Sequence, residues 1–167
     1  MKPLPEISVA HLFEQPWHLQ AVAELIHEEF WVTVAGASVE SMAQRLGQAN
    51  SSQVPLCLVA LVQGQPVGTV NLVDNDDEHH PEWHPWLAGM VVDRAWRGQG
   101  VGSALVRKLL NEARRLGIER VYFGTDGPRF YERLGAVVHL QARPGFWFMR
   151  FELSMPASAK GSEGLAP

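Results

Sequence analysis

The feature that most constrains this chain is the run from Trp86 to Leu116. Trp86-Leu87-Ala88-Gly89-Met90-Val91-Val92 is almost unbroken apolar, the pattern of a strand covered on both faces. Asp93-Arg94-Ala95-Trp96 is a short polar turn, and Arg97-Gly98-Gln99-Gly100-Val101-Gly102-Ser103 a glycine-rich loop. Val101, Leu105, Leu109, Ala113 and Leu116 then recur at helical spacing. Arg107, Lys108, Asn111, Glu112, Arg114 and Arg115 are assigned to the opposite face. Gly117 supplies a left-handed stop. A buried strand that passes through a glycine loop into an amphipathic helix implies a mixed α/β sheet and sets the loop at a helix N-terminus.

Glycines at 98, 100 and 102 strip side chains from that loop, so the N–H groups of Gly98 through Ser103 can converge on one anion. The helix dipole adds to the attraction. A pyrophosphate is the natural guest, with Arg97 able to add a charge-assisted contact. A P-loop is excluded because no Gly-Lys-Ser/Thr follows. A dinucleotide fold would place its glycines on the first strand, and here they lie past mid-chain. The alternative reading of the glycines is a tight strand-to-helix turn.

Arg97-x-x-Gly100-x-Gly102, after an apolar strand and before an amphipathic helix, resembles the coenzyme A loop of the GNAT acyltransferase superfamily. Phe130-Tyr131-Glu132-Arg133-Leu134-Gly135-Ala136 resembles that family's later helix. The resemblance covers most of residues 6 to 153 and implies the order β-α-α-β-β-β-α-β-α-β-β.

The rest of the chain fits that order. Ile7 to Ala10 reads as a first strand. Pro16 opens a helix with Leu19, Val22, Ile26 and Phe30 on one stripe. Ser38 caps a second helix, closed by Gly47. Val54–Val62 and Pro66–Val73 read as a hairpin around Gln63-Gly64-Gln65. Val121-Tyr122-Phe123 is a strand parallel to the central one. Gly127-Pro128 starts the helix bearing Tyr131, and Val137–Gln141 with Phe146–Leu153 form a last antiparallel pair. Residues 1–153 are expected to form one domain, with 154–167 a flexible tail.

The resemblance implies that the pantetheine arm of acetyl-CoA pairs with Met90, Val91 and Val92 like an added strand. Arg97, Gly98, Gln99, Gly100, Val101, Gly102 and Ser103 would then hold the pyrophosphate. The implied activity is an acetyl-CoA-dependent N-acetyltransferase acting on a primary amine. Tyr131 is the candidate donor of a proton to the leaving thiolate, and an N–H near Met90 would polarise the thioester carbonyl. An alkyl amine with a pKa near ~10.4 must lose a proton before it attacks. Glu82 is the candidate base, and Glu28, Glu29 and His84 are candidate acceptor-binding residues, from elements expected near the cleft. Solvated loop and helix-end positions are the alternative for these four. The run Asp74–Pro85 would steer cationic amines electrostatically, which favours cationic small molecules or lysine-rich peptides. Two family features are absent: no asparagine precedes the tyrosine between strand and helix, and no glutamate stands on the fifth strand.

Composition narrows the classes. A formal net charge of −4 makes nucleic acid a poor partner. The single cysteine, Cys57, allows no intrachain disulfide and reads as a small buried hydrophobe. No signal peptide or membrane span is evident, so a cytoplasmic location is expected. The histidines of residues 79–84 lack metal-site spacing, and no metal is expected. A homodimer is compatible with this fold. Two competing readings are a non-catalytic coenzyme A-binding module and a subunit that docks a partner through Trp17, Trp31, Trp83 or Trp86.

Overall fold

The computed structural model describes residues 3–153, so the expected tail at 154–167 lies outside the described residues. Seven strands form one mixed sheet: β1 (Ile7–His11), β2 (Leu56–Val62), β3 (Gln65–Val73), β4 (Trp86–Val92), β5 (Arg120–Thr125), β6 (Val137–Arg143) and β7 (Phe146–Glu152). Four α-helices complete it: α1 (Leu19–Ile26), α2 (Val39–Leu46), α3 (Val101–Arg115) and α4 (Pro128–Glu132). The spatial order is β1-β2-β3-β4-β5-β7-β6. The element sequence is the expected one, and β7 wedges between β5 and its hairpin partner β6. No helix among the described residues is long and apolar enough to cross a membrane.

The sheet is covered on both sides around β2, and that strand shows why. Leu56, Leu58, Ala60 and Val62 join an apolar cluster with Leu105 and Leu109 of α3. The alternate residues Cys57, Val59 and Leu61 join a second cluster with Val22 and Ile26 of α1 and Leu46 of α2. Period-two alternation thus sends one strand's side chains into two cores. Cys57 is buried as expected, its thiol pushed up to about 12 by burial against a smaller lowering by the Thr69 hydroxyl.

The helix ends follow their sequence signals. Ser38 accepts from the Ser41 N–H at 3.0 Å while the Ser41 hydroxyl accepts from the Ser38 N–H at 3.1 Å, a capping box. After α3, the Ile118 N–H donates to Ala113 O at 2.9 Å and the Gly117 N–H to Arg114 O at 3.0 Å. These two bonds close a Schellman stop.

Three expectations are corrected. Phe30 is 46% exposed and leaves the α1 stripe. The helix widens into a π turn over His27–Trp31, and the extra residue per turn brings Trp31 to the second apolar cluster instead. Glu112 is buried, not on the solvent face of α3. It meets His11 Nε2 at 3.3 Å, Lys108 Nζ at 3.2 Å and Arg115 Nη2 at 2.6 Å, so its charge is matched where it is buried. Trp86 is buried and Trp31 and Trp83 are half-buried, which leaves Trp17 as the exposed one of the four named.

Candidate active site

The site begins where β4 and β5 part. They pair in parallel at Trp86 and Tyr122, and the Tyr122 N–H donates to Pro85 O at 3.0 Å. Beyond that point no residue of β4 pairs with β5, which leaves that edge of β4 free. On its other edge β4 bulges. Ala88 faces Asn71 and Val91 faces Thr69, so Gly89 and Met90 together oppose the single residue Val70. Gly89 sits at φ +57°, where a side chain is strained, and an added Cβ would come within 3.0 Å of Asn71 Nδ2. The bulge interrupts the regular ladder at Met90, a residue that lines the cleft.

At the far end of β4 the glycine loop is held by side chains. The Asp93 carboxylate accepts from the Ala95 N–H at 2.9 Å, and Gln99 Nε2 donates to Ala95 O at 3.1 Å. Arg97 Nε donates to Val92 O at 2.8 Å, and its Nη2 pairs with Glu29 at 3.2 Å. Arg97 therefore staples the loop to β4 and to the end of the first helical segment. Gly98 and Gly100 lie at φ +72° and +89° with open space where side chains would stand. Among the described residues, the backbone N–H groups of Gly98 through Ser103 have no protein acceptor. They border a cavity of about 440 Å³ lined by Met90, Val91, Val92, Arg97, Gly98, Gly100, Gly102 and Ser103. Of the expected cofactor residues, Gln99 and Val101 do not line it. Val101 is buried in the core, so only its peptide can take part. Arg133, Trp96 and Phe130 line the cavity without having been singled out. Arg133 lies one helical turn after Phe130, whose ring comes within 3.1 Å of a Cβ placed on Gly102. That spacing was the signal available for it.

The second cavity, about 1060 Å³, opens along the splayed strands. Met90 and Glu29 line both cavities, so the two adjoin at these residues. Tyr131 lines this cleft, its ring 4.4 Å from that of Phe123 and 4.8 Å from that of Phe130. Burial, and then the Asp126 charge, push its phenol up to about 12. It therefore stays protonated across the neutral range, as a proton donor must.

The acidic loop contributes other residues than those expected. Glu82 is exposed, lines neither cavity and pairs with His80 at 3.2 Å. A hydrogen bond from its own backbone, above the smaller influence of His80, holds its carboxyl below the ordinary range. His84 and Glu28 are also exposed and line neither cavity. Asp76, Asp77 and His79 line the cleft instead. Asp76 keeps much of its surface open, yet the cleft withholds enough water to raise its carboxyl, and the Asp77 charge raises it further. Local bonding explains the selection. Asn75 Nδ2 donates to His80 O at 3.0 Å and Trp83 O at 3.1 Å. The Trp83 ring stacks on His80 at 3.7 Å and meets His139 edge-on at 4.6 Å. The loop is pinned by its middle, so Asp76, Asp77 and His79 border the cleft while Glu82 and His84 do not.

Comparison with known proteins bears on the family and the fold. Residues 19–136 match the family model of the acetyltransferase (GNAT) family. Aminoalkylphosphonate N-acetyltransferase of Salmonella typhimurium is 35% identical over 82 residues, which cover 46% of this chain and 53% of that protein. The chain thus matches about half the length of that curated relative. An aminoglycoside 6′-N-acetyltransferase solved with coenzyme A superposes with a TM-score of 0.70 at 17% identity, over 89% of this chain and 98% of its own. An acetyltransferase structure from Salmonella typhimurium, solved with its cofactor acetyl-CoA, gives 0.67 at 19% identity, over 92% and 97%. At such identities these two likenesses establish the fold.

Proposed function

The chain belongs to the GNAT acetyltransferase family, and from that premise we propose that it transfers the acetyl group of acetyl-CoA to a primary amine of a small molecule. Acetyl-CoA is the co-substrate of that chemistry. The observation that carries the reading is the position of Met90: the bulged strand borders both the loop cavity and the acceptor cleft. Pyrophosphate at the loop, pantetheine along the free edge of β4 and thioester at the bulge form one line. The relatives named above for aminoalkylphosphonate and aminoglycoside acetylation also act on amines.

Each step has a group on this chain. Phosphate oxygens accept from the N–H groups of Gly98–Ser103 at the start of α3, beside Arg133. The ammonium of the acceptor is faced by Asp76 and Asp77 and gives up its proton to Asp76, directly or through water. Asp76 lines the cleft and its carboxyl is raised, whereas Glu82 lines neither cavity and its carboxyl is lowered, which makes Asp76 the better base. The neutral amine attacks the thioester carbonyl, a C–N bond forms, and the oxyanion accepts from the Met90 N–H. Collapse breaks the C–S bond, Tyr131 gives its proton to the sulfur, and the second proton that the nitrogen loses as the amide forms restores the tyrosine through solvent. The amide and free coenzyme A leave, with one proton released to solvent overall.

The test is thermal stabilisation by acetyl-CoA, followed by amine-dependent thiol release. Wild type should show a concentration-dependent rise in Tm, lost in Gly100→Glu, whose carboxylate would enter the anion cradle. Tyr131→Phe should keep that rise and lose turnover. A Tm that ignores acetyl-CoA would overturn the reading. Equal turnover in Tyr131→Phe would remove the tyrosine from the mechanism.

A further inference from the structure

The acceptor cleft is lined by two guanidinium groups that no carboxylate of the described residues pairs. Arg45, at the C-terminal end of α2, and Arg143, at the β6–β7 turn, both line it. Among the described residues no carboxylate lies within 4 Å of either, and neither donates a hydrogen bond. Arg97, Arg115, Arg120 and Arg150 are paired with carboxylates, and the remaining arginines without a carboxylate partner do not line this cleft.

Arg143 is also placed. Its guanidinium lies 4.5 Å from the centre of the Phe146 ring. That ring packs on Gly124 of β5 so closely that a Cβ there would come within 2.7 Å of Phe146 Cζ. Stacking on an aromatic face fixes the plane of a guanidinium and leaves its N–H edge free. An oriented, unpaired guanidinium fork in a cleft matches a carboxylate, phosphonate or phosphate. The opposite charge, Asp76 and Asp77, lines the same cleft.

We infer that Arg143, with Arg45 as the second cation, selects an acceptor that carries an acid group as well as its amine. The inference rests on the acetyltransfer reading and narrows its substrate class from amines in general to zwitterionic ones. It runs against the polycationic acceptors that the acidic loop alone would favour, because those would meet two unpaired arginines.

The experiment compares 2-aminoethylphosphonate and β-alanine with propylamine and spermidine, as acceptors in thiol release and as ligands of the coenzyme A-loaded protein by calorimetry. Wild type should prefer one of the two acidic amines over propylamine by at least tenfold in kcat/KM, and the preferred acid identifies the group. Arg143→Gln should raise KM for that acceptor about tenfold to a hundredfold, with kcat and the propylamine reaction little changed. Arg143→Lys should fall between, since it keeps the charge and loses the fork. Equal use of acidic and neutral amines, a preference for spermidine, or a loss in Arg143→Gln that is the same for every acceptor would overturn the inference. If no amine is acetylated, the transfer reading fails. The calorimetric arm then decides on its own: acid-dependent binding lost in Arg143→Gln upholds the inference, and no such binding refutes it.

Discussion

Replacing Gly89 with alanine tests the reacting centre most directly. Gly89 holds φ +57°, where an L-residue costs roughly 1–2 kcal/mol. The added methyl would also press to 3.0 Å from Asn71 Nδ2, on a side chain that can yield by a few tenths of an ångström. The stability loss is therefore about 1–2 kcal/mol, which for a chain of this size lowers Tm by roughly 2–8 °C. Catalysis should suffer more. If the backbone relaxes to relieve φ, the Met90 N–H proposed as the oxyanion donor is displaced, and the loss of one such donor costs about 10²–10³ in kcat. The anion loop begins eight residues beyond Met90 and should be untouched, so the acetyl-CoA-induced rise in Tm should persist. Steady-state thiol release and thermal shift on one protein preparation supply all three readings. A variant that loses Tm as expected yet keeps kcat within about threefold would refute the bulge as the source of the oxyanion donor.

Asp126→Asn removes a negative charge that raises the Tyr131 phenol, so its pKa should fall toward the ordinary value. The alkaline limb of the kcat–pH profile should move to lower pH by a fraction of a unit or more, and an unmoved limb would dissociate Tyr131 from proton transfer. For Glu112, burial raises the carboxyl, but hydrogen bonds from Arg115 and Lys108 and the charges of Arg115 and His11 outweigh it and leave it lowered. A folded value below the unfolded one stabilises the protein above about pH 4.3 and is lost as pH falls through the folded value. Glu112→Gln should therefore cost about 1–3 kcal/mol in urea unfolding at pH 7, with the gap closing near pH 3; a gap independent of pH would contradict the ionic account. Cys57, buried with its thiol at about 12, should resist alkylation at pH 8 until urea is added. Rapid reaction of the native protein would show that β2 opens locally.

Much of this was legible in the chain. The stripe Val101, Leu105, Leu109 and Ala113 is buried as the period of 3.6 requires, and Gly117 ends the helix through the backbone bonds its conformation allows. Glycines 98 and 100 hold the left-handed values that their loop required. What stayed hidden was set by distant partners. Glu112 reads as a surface residue until His11, a hundred positions earlier, is seen against it. Phe30 follows the α1 period, but a π turn shifts the phase just before it. The loop at 74–85 has no period at all. Which of its acids face inward depends on where Trp83 and Asn75 anchor, and Glu82 and His84 fall on the wrong side of that anchor. Arg143 reads as a turn residue, because the ring that orients it and the glycine under that ring lie on other strands.

The single pairing between β4 and β5 divides the sheet mechanically. β5 is hydrogen-bonded along its whole length to β7, from Arg120 opposite Glu152 to Thr125 opposite Trp147. It therefore belongs to a three-stranded unit with β7 and β6, set beside the four-stranded unit of β1 to β4. Backbone bonds hardly cross the seam, and what crosses it is side-chain packing, Val121 and Phe123 against the cluster that holds Leu87 and Leu105. Amide exchange should then find two cooperative blocks that open at different free energies, with β5 following β7 and not β4. A ligand laid along the seam supplies the missing rung. Its binding should slow exchange in β6, a strand that borders neither the loop nor the bulge, because it joins the two blocks into one.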